Sequence, residues 1–363
     1  MPKDFVVSTS DRGNFKRCRR RWDLSSRNRQ SLVLVDGVQS AALWLGTGFH
    51  FALEDYYGYK KFGKPSEALE AYVASHRRSE LPDTWVETTK LGTDMLDYYV
   101  DEWLAQRGEV LETLWIDGVP QVEVNVRVPL DIKPPPGYDR VVYSVTYDRV
   151  AKDEYDRLVV VDYKTAAKQF DPGRLELDAQ VSSYIWSARL IYGDAVEGAC
   201  WQQHIKAVPD PPEVLKNGGL SKNKSQYTTA RMYEKTCMEY YGKVPDEYRE
   251  IINHFAATET PDADRFVKRE TIYRNQTFAD NEERKIFDEI DDMIDPKLKL
   301  YPNPTRDCTW DCNYRAVCLA MDDGSDYDYM LQTEYVKWEG EGYQSNEWRR
   351  RLKYPEPLEV EAA

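Results

Sequence analysis

At 363 residues, 41% of them hydrophobic and 31% charged, the chain has the composition of a globular protein with room for a sizeable core. Its net charge of −14 excludes attraction to nucleic acid over the whole surface and leaves only a local basic groove for that purpose. No apolar run approaches the roughly 18 residues a membrane span needs. The opening stretch, MPKDFVVSTSDRGNF, has no signal-peptide core, so the expected location is the cytoplasm. Six cysteines without secretion signals point to a metal site rather than to disulfides.

In chain order, Ser10 is the expected N-cap of a first helix, in which Phe15, Cys18 and Trp22 recur at helical spacing. Lys16, Arg17, Arg19, Arg20 and Arg21 surround Cys18. Such a run is either a solvated face or a guide for a phosphate backbone, and its charge favours a thiolate at Cys18. Ala41 to Lys61 reads as a helix, with Gly46 and Gly48 near its start and His50 inside it. A lone helical histidine is more often a packed core residue than a ligand. Two further helices are expected between Pro65 and Arg107, the second capped by Asp83 and stopped at Gly108. Gln121 to Leu130 alternates as a strand with Glu123 at its beginning, and Lys133 to Gly137 is a proline-rich turn.

The next stretch carries the chemistry. Val141 to Val150 and Leu158 to Tyr163 read as two strands joined by the charged turn Lys152 to Asp156. Alternate strand residues share a face, so Asp162 and Lys164 point one way and Tyr163 the other. Folding the hairpin brings Asp148 close to Asp162 across the ladder. Two close carboxylates repel unless a cation lies between them, and hard oxygen ligands suit Mg²⁺ or Mn²⁺. The competing reading is a surface hairpin whose acids are solvated.

Leu175 to Ile191 follows as a helix in which Gln180 and Tyr184, four apart, share one face. A strand lies within Gly198 to Val208, and the polar stretch Pro209 to Thr229 is an expected loop. Helices are expected at Ala230 to Tyr241, Asp246 to Ala257 and Asn281 to Asp292, with Cys200 and Cys237 as small buried residues. Cys308, Cys312 and Cys318 are spaced C-x3-C-x5-C, and a distant Cys18 would complete four thiolates. Such a set holds Zn²⁺ or an iron–sulfur cluster, and spacing does not choose between them. Beyond Asp322 there is no core pattern, and the final EPLEVEAA reads as disordered.

Asp148, followed after a turn by Asp162-Tyr163-Lys164, resembles the PD-(D/E)XK nuclease signature in its RecB-like form, with Val161 where proline is usual. His50 with Leu53-Glu54 resembles that branch's first motif, and Gln180 with Tyr184 its QxxxY motif. One cysteine before the core and three after it is similar to the CRISPR-associated and helicase-linked members, whose trailing spacing is often C-x2-C-x5-C. The resemblance implies an α/β fold with a mixed central sheet flanked by helices. It implies a single nuclease domain over 1–320, with helical insertions at about 60–115 and 209–295, and a peripheral extension at 321–363. It implies metal ligation by His50, Asp148, Asp162 and the Tyr163 carbonyl, with Asp148, Asp162 and Lys164 catalytic. It further implies a [4Fe–4S] cluster on Cys18, Cys308, Cys312 and Cys318, with Zn²⁺ as the alternative. Gln180, Tyr184, Arg19, Arg20 and Arg21 would contact substrate.

Function would then be that of a Mg²⁺- or Mn²⁺-dependent DNA exonuclease in recombination, repair or processing. Its partner would be DNA, single-stranded or with free ends, in a bacterial cell or a phage-infected host. An acid at the position of Glu123 sometimes assists such sites. Two rivals remain: an inactive nucleic-acid-binding protein of this fold, and a zinc-stapled structural protein with incidental acids.

Overall fold

The computed structural model describes residues 3–35, 41–76, 83–258, 265–338 and 347–362. Its main sheet contains β1 (Asp4–Ser8), β2 (Glu112–Thr113), β3 (Val122–Leu130), β4 (Arg140–Lys152), β5 (Leu158–Ala166), β6 (Val196–Ile205), β7 (Val267–Tyr273) and β8 (Glu359–Glu361). The spatial order is β7-β6-β5-β4-β3-β8, with β1 and β2 both pairing with β4. β3, β4 and β5 form an antiparallel meander, β5 and β6 run parallel, and β8 joins β3 in parallel. The sheet is therefore mixed, as expected from the sequence.

Helices pack on both faces of the sheet and in two smaller clusters beside it. They are α1 (Thr9–Arg17), α2 (Arg19–Ser25), α3 (Ala41–Glu54), α4 (Pro65–Ala74), α5 (Asp83–Asp97), α6 (Ala179–Tyr192), α7 (Ala230–Tyr241), α8 (Arg249–Thr258), α9 (Gln276–Ile294), α10 (Arg315–Asp323), α11 (Tyr327–Glu334) and α12 (Glu347–Arg351). Strand alternation divides the apolar residues between two cores. Val124, Val126, Tyr147 and Val160 pack with Ile185 of α6 and Ile286 and Ile290 of α9. Val159, Val161 and Tyr163 pack on the other side with Phe49 and Leu53 of α3, Tyr72 of α4 and Trp85 of α5. The crossover from β5 to β6 passes through α6, which sets this helix against the central strands. Among the described residues no helix is long and apolar enough to cross a membrane.

Three local expectations change. Ser8, not Ser10, caps α1: its hydroxyl accepts the Asp11 N–H at 3.1 Å and the Asp11 carboxylate returns the bond, because the helix begins where β1 ends. The helical spacing of Phe15, Cys18 and Trp22 is interrupted at Cys18, whose extended backbone (φ −164°) closes α1 and caps α2. Residues 356–362, expected to be disordered, are ordered against the fold. Trp348 and Tyr354 enter the α3-side core, and β8 pairs Glu359 to Glu361 with Asn125 to Arg127. Isolated apolar residues that fill separate gaps leave no periodic trace, which is why the sequence pattern missed them.

The two glycines near the start of α3 have different surroundings. Gly48 faces α4 rather than the sheet: a Cβ there would lie 2.6 Å from Leu69 Cδ1 and 2.8 Å from Tyr72 Cδ1. Tyr72 cannot yield, being fully buried against Trp44 and Trp348. At Gly46 the same atom would meet only Thr165 Oγ1 at 3.9 Å. Gly48→Ala should therefore destabilise by about 1–3 kcal/mol through overpacking, and Gly46→Ala should be nearly neutral, as read by urea unfolding.

Candidate active site

The site is built where the central ladder opens. β3 and β4 pair Val124 with Tyr147 and Val122 with Arg149, and the register leaves out Glu123 and Asp148 between them. Glu123 sits at φ +48°, in the left-handed region that residues other than glycine rarely occupy. The kink breaks the alternation: Val124 packs on the α6 side and Val122 on the α3 side. β4 and β5 in turn stop pairing at Arg149 and Val161. Beyond that point Asp148 Oδ2 accepts the Tyr163 N–H at 2.6 Å. Glu123, Asp148 and Asp162 thus stand on three adjacent strands at one opening.

α3 brings His50 to this opening, its Nδ1 3.2 Å from Asp148 Oδ1. His50, Glu123 and Asp148 offer ligand atoms within 4.8 Å of one another, forming among the described residues a three-residue group able to hold a metal ion. Lys164 Nζ lies 3.0 Å from Asp162 Oδ1 and 2.7 Å from Oδ2. From α6, Tyr184 donates its hydroxyl to Asp162 Oδ1 at 2.9 Å, and Gln180 Nε2 donates to the same oxygen at 3.4 Å and to the Tyr184 hydroxyl at 2.5 Å. Asp178 caps α6 through the Gln180 N–H, fixing that turn beside the site.

Burial and mutual repulsion dominate the electrostatics. Burial pushes the Glu123 carboxyl up to about 8, aided by Asp148 and Glu54. Burial also raises Asp162, against the pull of Lys164. Asp148 is held low, because His50, Lys164 and the Tyr163 N–H outweigh its burial. His50 is raised to about 9, since the Asp148 carboxylate overcomes desolvation, and Lys164 is raised by Asp162 and Asp148 against the same penalty. Two carboxylates and an imidazole that compete for protons in this way fit a hard divalent cation such as Mg²⁺ or Mn²⁺.

The structure therefore brings together His50, Asp148, Asp162, Lys164, Gln180 and Tyr184. Gln180 and Tyr184 are engaged with Asp162. Tyr163 turns its ring into the α3-side core and offers its N–H to Asp148. Arg19, Arg20 and Arg21 are elsewhere, paired with Asp292, Asp322 and Asp311. Glu123, given little weight from the sequence, is one of the three clustered donors. Strict alternation aligns it with Asn125 and Arg127, and only the local kink, invisible in a hydrophobic pattern, brings it inward.

Cys18, Cys308, Cys312 and Cys318 line a second cavity of about 150 Å³, with Arg17, Arg20 and Arg21 on its wall. Cys18 Sγ accepts N–H bonds from Arg21 at 3.5 Å and Asn303 at 3.4 Å, and Cys308 Sγ accepts one from Thr305 at 3.4 Å. Their sulfurs do not meet the 4.8 Å spacing of the acidic group. Cys200 and Cys237 are buried in separate cores.

Linkage gives a pH dependence for the metal-free protein. Glu123 and His50 both have raised values in the folded state, so the stability they contribute is complete in acid and is lost as pH rises through about 8 and about 9 respectively. The melting temperature should fall between pH 6 and pH 9, and Glu123→Gln should flatten the fall. Saturating Mn²⁺ should remove it, because the cation replaces the protons.

Among solved structures, the crystal structure of SSO0001 aligns over 78% of this chain and 88% of that chain at 12% identity, with a TM-score of 0.29. No curated protein matches the chain. The family model for the PD-(D/E)XK nuclease superfamily matches residues 6–319, a span that holds every residue of the acidic opening and all four cavity cysteines. The chain belongs to the PD-(D/E)XK nuclease superfamily.

Proposed function

We propose that the protein is a Mg²⁺- or Mn²⁺-dependent deoxyribonuclease of the RecB-like, iron–sulfur branch, acting on DNA with free ends in recombination, repair or processing. The observation that carries this reading is the convergence of His50, Glu123 and Asp148 beside the Asp162–Lys164 pair. His50, Glu123 and Asp148 would hold the cation, with Asp162 beside them. When bound, it supplies Lewis acidity for the phosphate and a lowered pKa for the attacking water.

The remaining work falls to the chain. Lys164, held charged by its two acidic neighbours, would stabilise charge building on the scissile phosphate. Tyr184 and Gln180 fix Asp162, and through it the direction of the Lys164 ammonium. Burial of Asp162 and Tyr184 strengthens the contact between them, since little water competes there.

At the other site, a [4Fe–4S] cluster on Cys18, Cys308, Cys312 and Cys318 is the reading we favour. Zn–S bonds of about 2.3 Å in a tetrahedron place sulfurs about 3.8 Å apart. One cavity is lined by all four cysteines, and N–H groups aimed at sulfur suit the charge of a cluster. Arg17, Arg20 and Arg21, which line this cavity, would offset its charge rather than guide DNA. The purified protein should be brown and contain about four iron atoms per chain, and Cys312→Ser should lose both colour and iron. A colourless, zinc-loaded protein would sink the cluster.

Cleavage of end-labelled single- and double-stranded DNA in Mn²⁺ tests the enzyme. Lys164→Ala should cut at least about 10²-fold more slowly while keeping the wild-type circular dichroism spectrum. A metal-loaded wild type that leaves DNA intact would overturn the reading, as would equal cutting by both proteins.

A further inference from the structure

The last described segment, 347–362, reaches the acidic site from behind. Arg349 of α12 makes a two-point ion pair with Glu54, Nη1 to Oε1 at 2.9 Å and Nη2 to Oε2 at 2.6 Å. Both side chains are almost fully buried, at 4% and 2% exposure. Nη1 also donates to the Pro355 carbonyl at 3.0 Å, and the Trp348 and Tyr354 rings lie 4.8 and 5.6 Å from the guanidinium. Tyr354 adds a hydroxyl bond to Asp55 at 3.3 Å.

Glu54 stands one helical turn after His50, so the two share a face of α3. It also lies within electrostatic reach of Glu123 and Asp148. Past Pro355 the chain joins the sheet: the Asn125 N–H bonds the Leu358 carbonyl at 2.7 Å, and β8 continues along β3. Asn125 is two residues from the kinked Glu123. One short strap therefore grips α3 beside His50 and β3 beside Glu123.

We propose that Arg349 is a positioning residue of the metal centre, and that the carboxyl-terminal strap, by its Glu54 ion pair and its β8 pairing, holds two of the three clustered donors in register. The proposal rests on the metal-site reading above. The physical reason is twofold. A planar guanidinium bound at two points fixes the rotation of α3 as a single contact would not. Without Arg349, a buried carboxylate would be left uncompensated next to two others, and the site would have to rearrange to relieve it. An ordinary structural strap would instead affect stability alone.

The test measures Mn²⁺ affinity by calorimetry and electron paramagnetic resonance, independently of DNA cleavage. Arg349→Met, folded by circular dichroism, should bind Mn²⁺ about tenfold or more weakly, the range seen when groups supporting metal ligands are lost. The double variant Glu54→Leu/Arg349→Met removes the stranded charge and replaces the pair by apolar volume, so it should recover most of that affinity. Arg349→Lys, which keeps charge without the two-point geometry, should fall between. Should Arg349→Met fail to fold, Arg349→Lys decides: weaker Mn²⁺ binding than wild type supports the proposal and equal binding overturns it. A folded Arg349→Met with wild-type affinity also overturns it, as does a double variant no better than the single. Wild type that binds Mn²⁺ but cuts no DNA would sink the nuclease reading and leave this one intact. Wild type that binds no Mn²⁺ would sink both.

Discussion

Repulsion among buried carboxylates is the constraint on which the middle of this molecule depends. Glu123, Asp148 and Asp162 stand on adjacent strands where the ladder opens, and Glu54 lies just behind them. Each is compensated differently. Asp162 has Lys164, Tyr184 and Gln180; Asp148 has His50 and the Tyr163 N–H; Glu54 has Arg349. Glu123 has His50 nearby but the weakest relief, which its raised proton affinity records. A divalent cation at that point would complete the set, and the surrounding fold reads as the scaffold that holds these charges at fixed separations.

That scaffold draws on both ends of the chain. Arg12 of α1, buried, pairs with Glu282 at 2.9 Å and Glu289 at 2.6 Å on α9. Leu24 packs with Tyr314, Val317 and Tyr335 in a small core beside the cysteine cavity. A cluster on the four cysteines would tighten this junction, since ligands far apart in sequence close a long loop on binding. The strap at 347–362 closes the other side of the sheet. The acidic opening is thus clamped from regions that are remote in sequence.

Much of this arrangement is legible in the sequence, for identifiable reasons. The β4–β5 hairpin, the shared face of Asp162 and Lys164, and the placement of Gln180 and Tyr184 follow from period-two and period-3.6 rules that hold wherever backbone geometry is regular. What was missed lies where regularity fails. Glu123 points inward because one residue adopts a left-handed conformation, and Cys18 ends a helix that the apolar spacing continues. The partners of Arg19 to Arg21 are set by tertiary acids on α9, α10 and the cysteine loop, which no local window contains. The strap was missed because Trp348 and Tyr354 each fill a single gap, and Arg349 finds its partner nearly 300 residues away.

The opening between β3, β4 and β5 brings His50, Glu123 and Asp148 close enough to hold one metal ion. Anomalous diffraction at the manganese edge from crystals soaked in Mn²⁺ tests it most directly. A peak should appear at coordination distance, about 2.0–2.4 Å, from a donor atom of each of these three residues. A well-occupied Mn²⁺ peak elsewhere, or a site at Asp162 that leaves Glu123 uncoordinated, would contradict it.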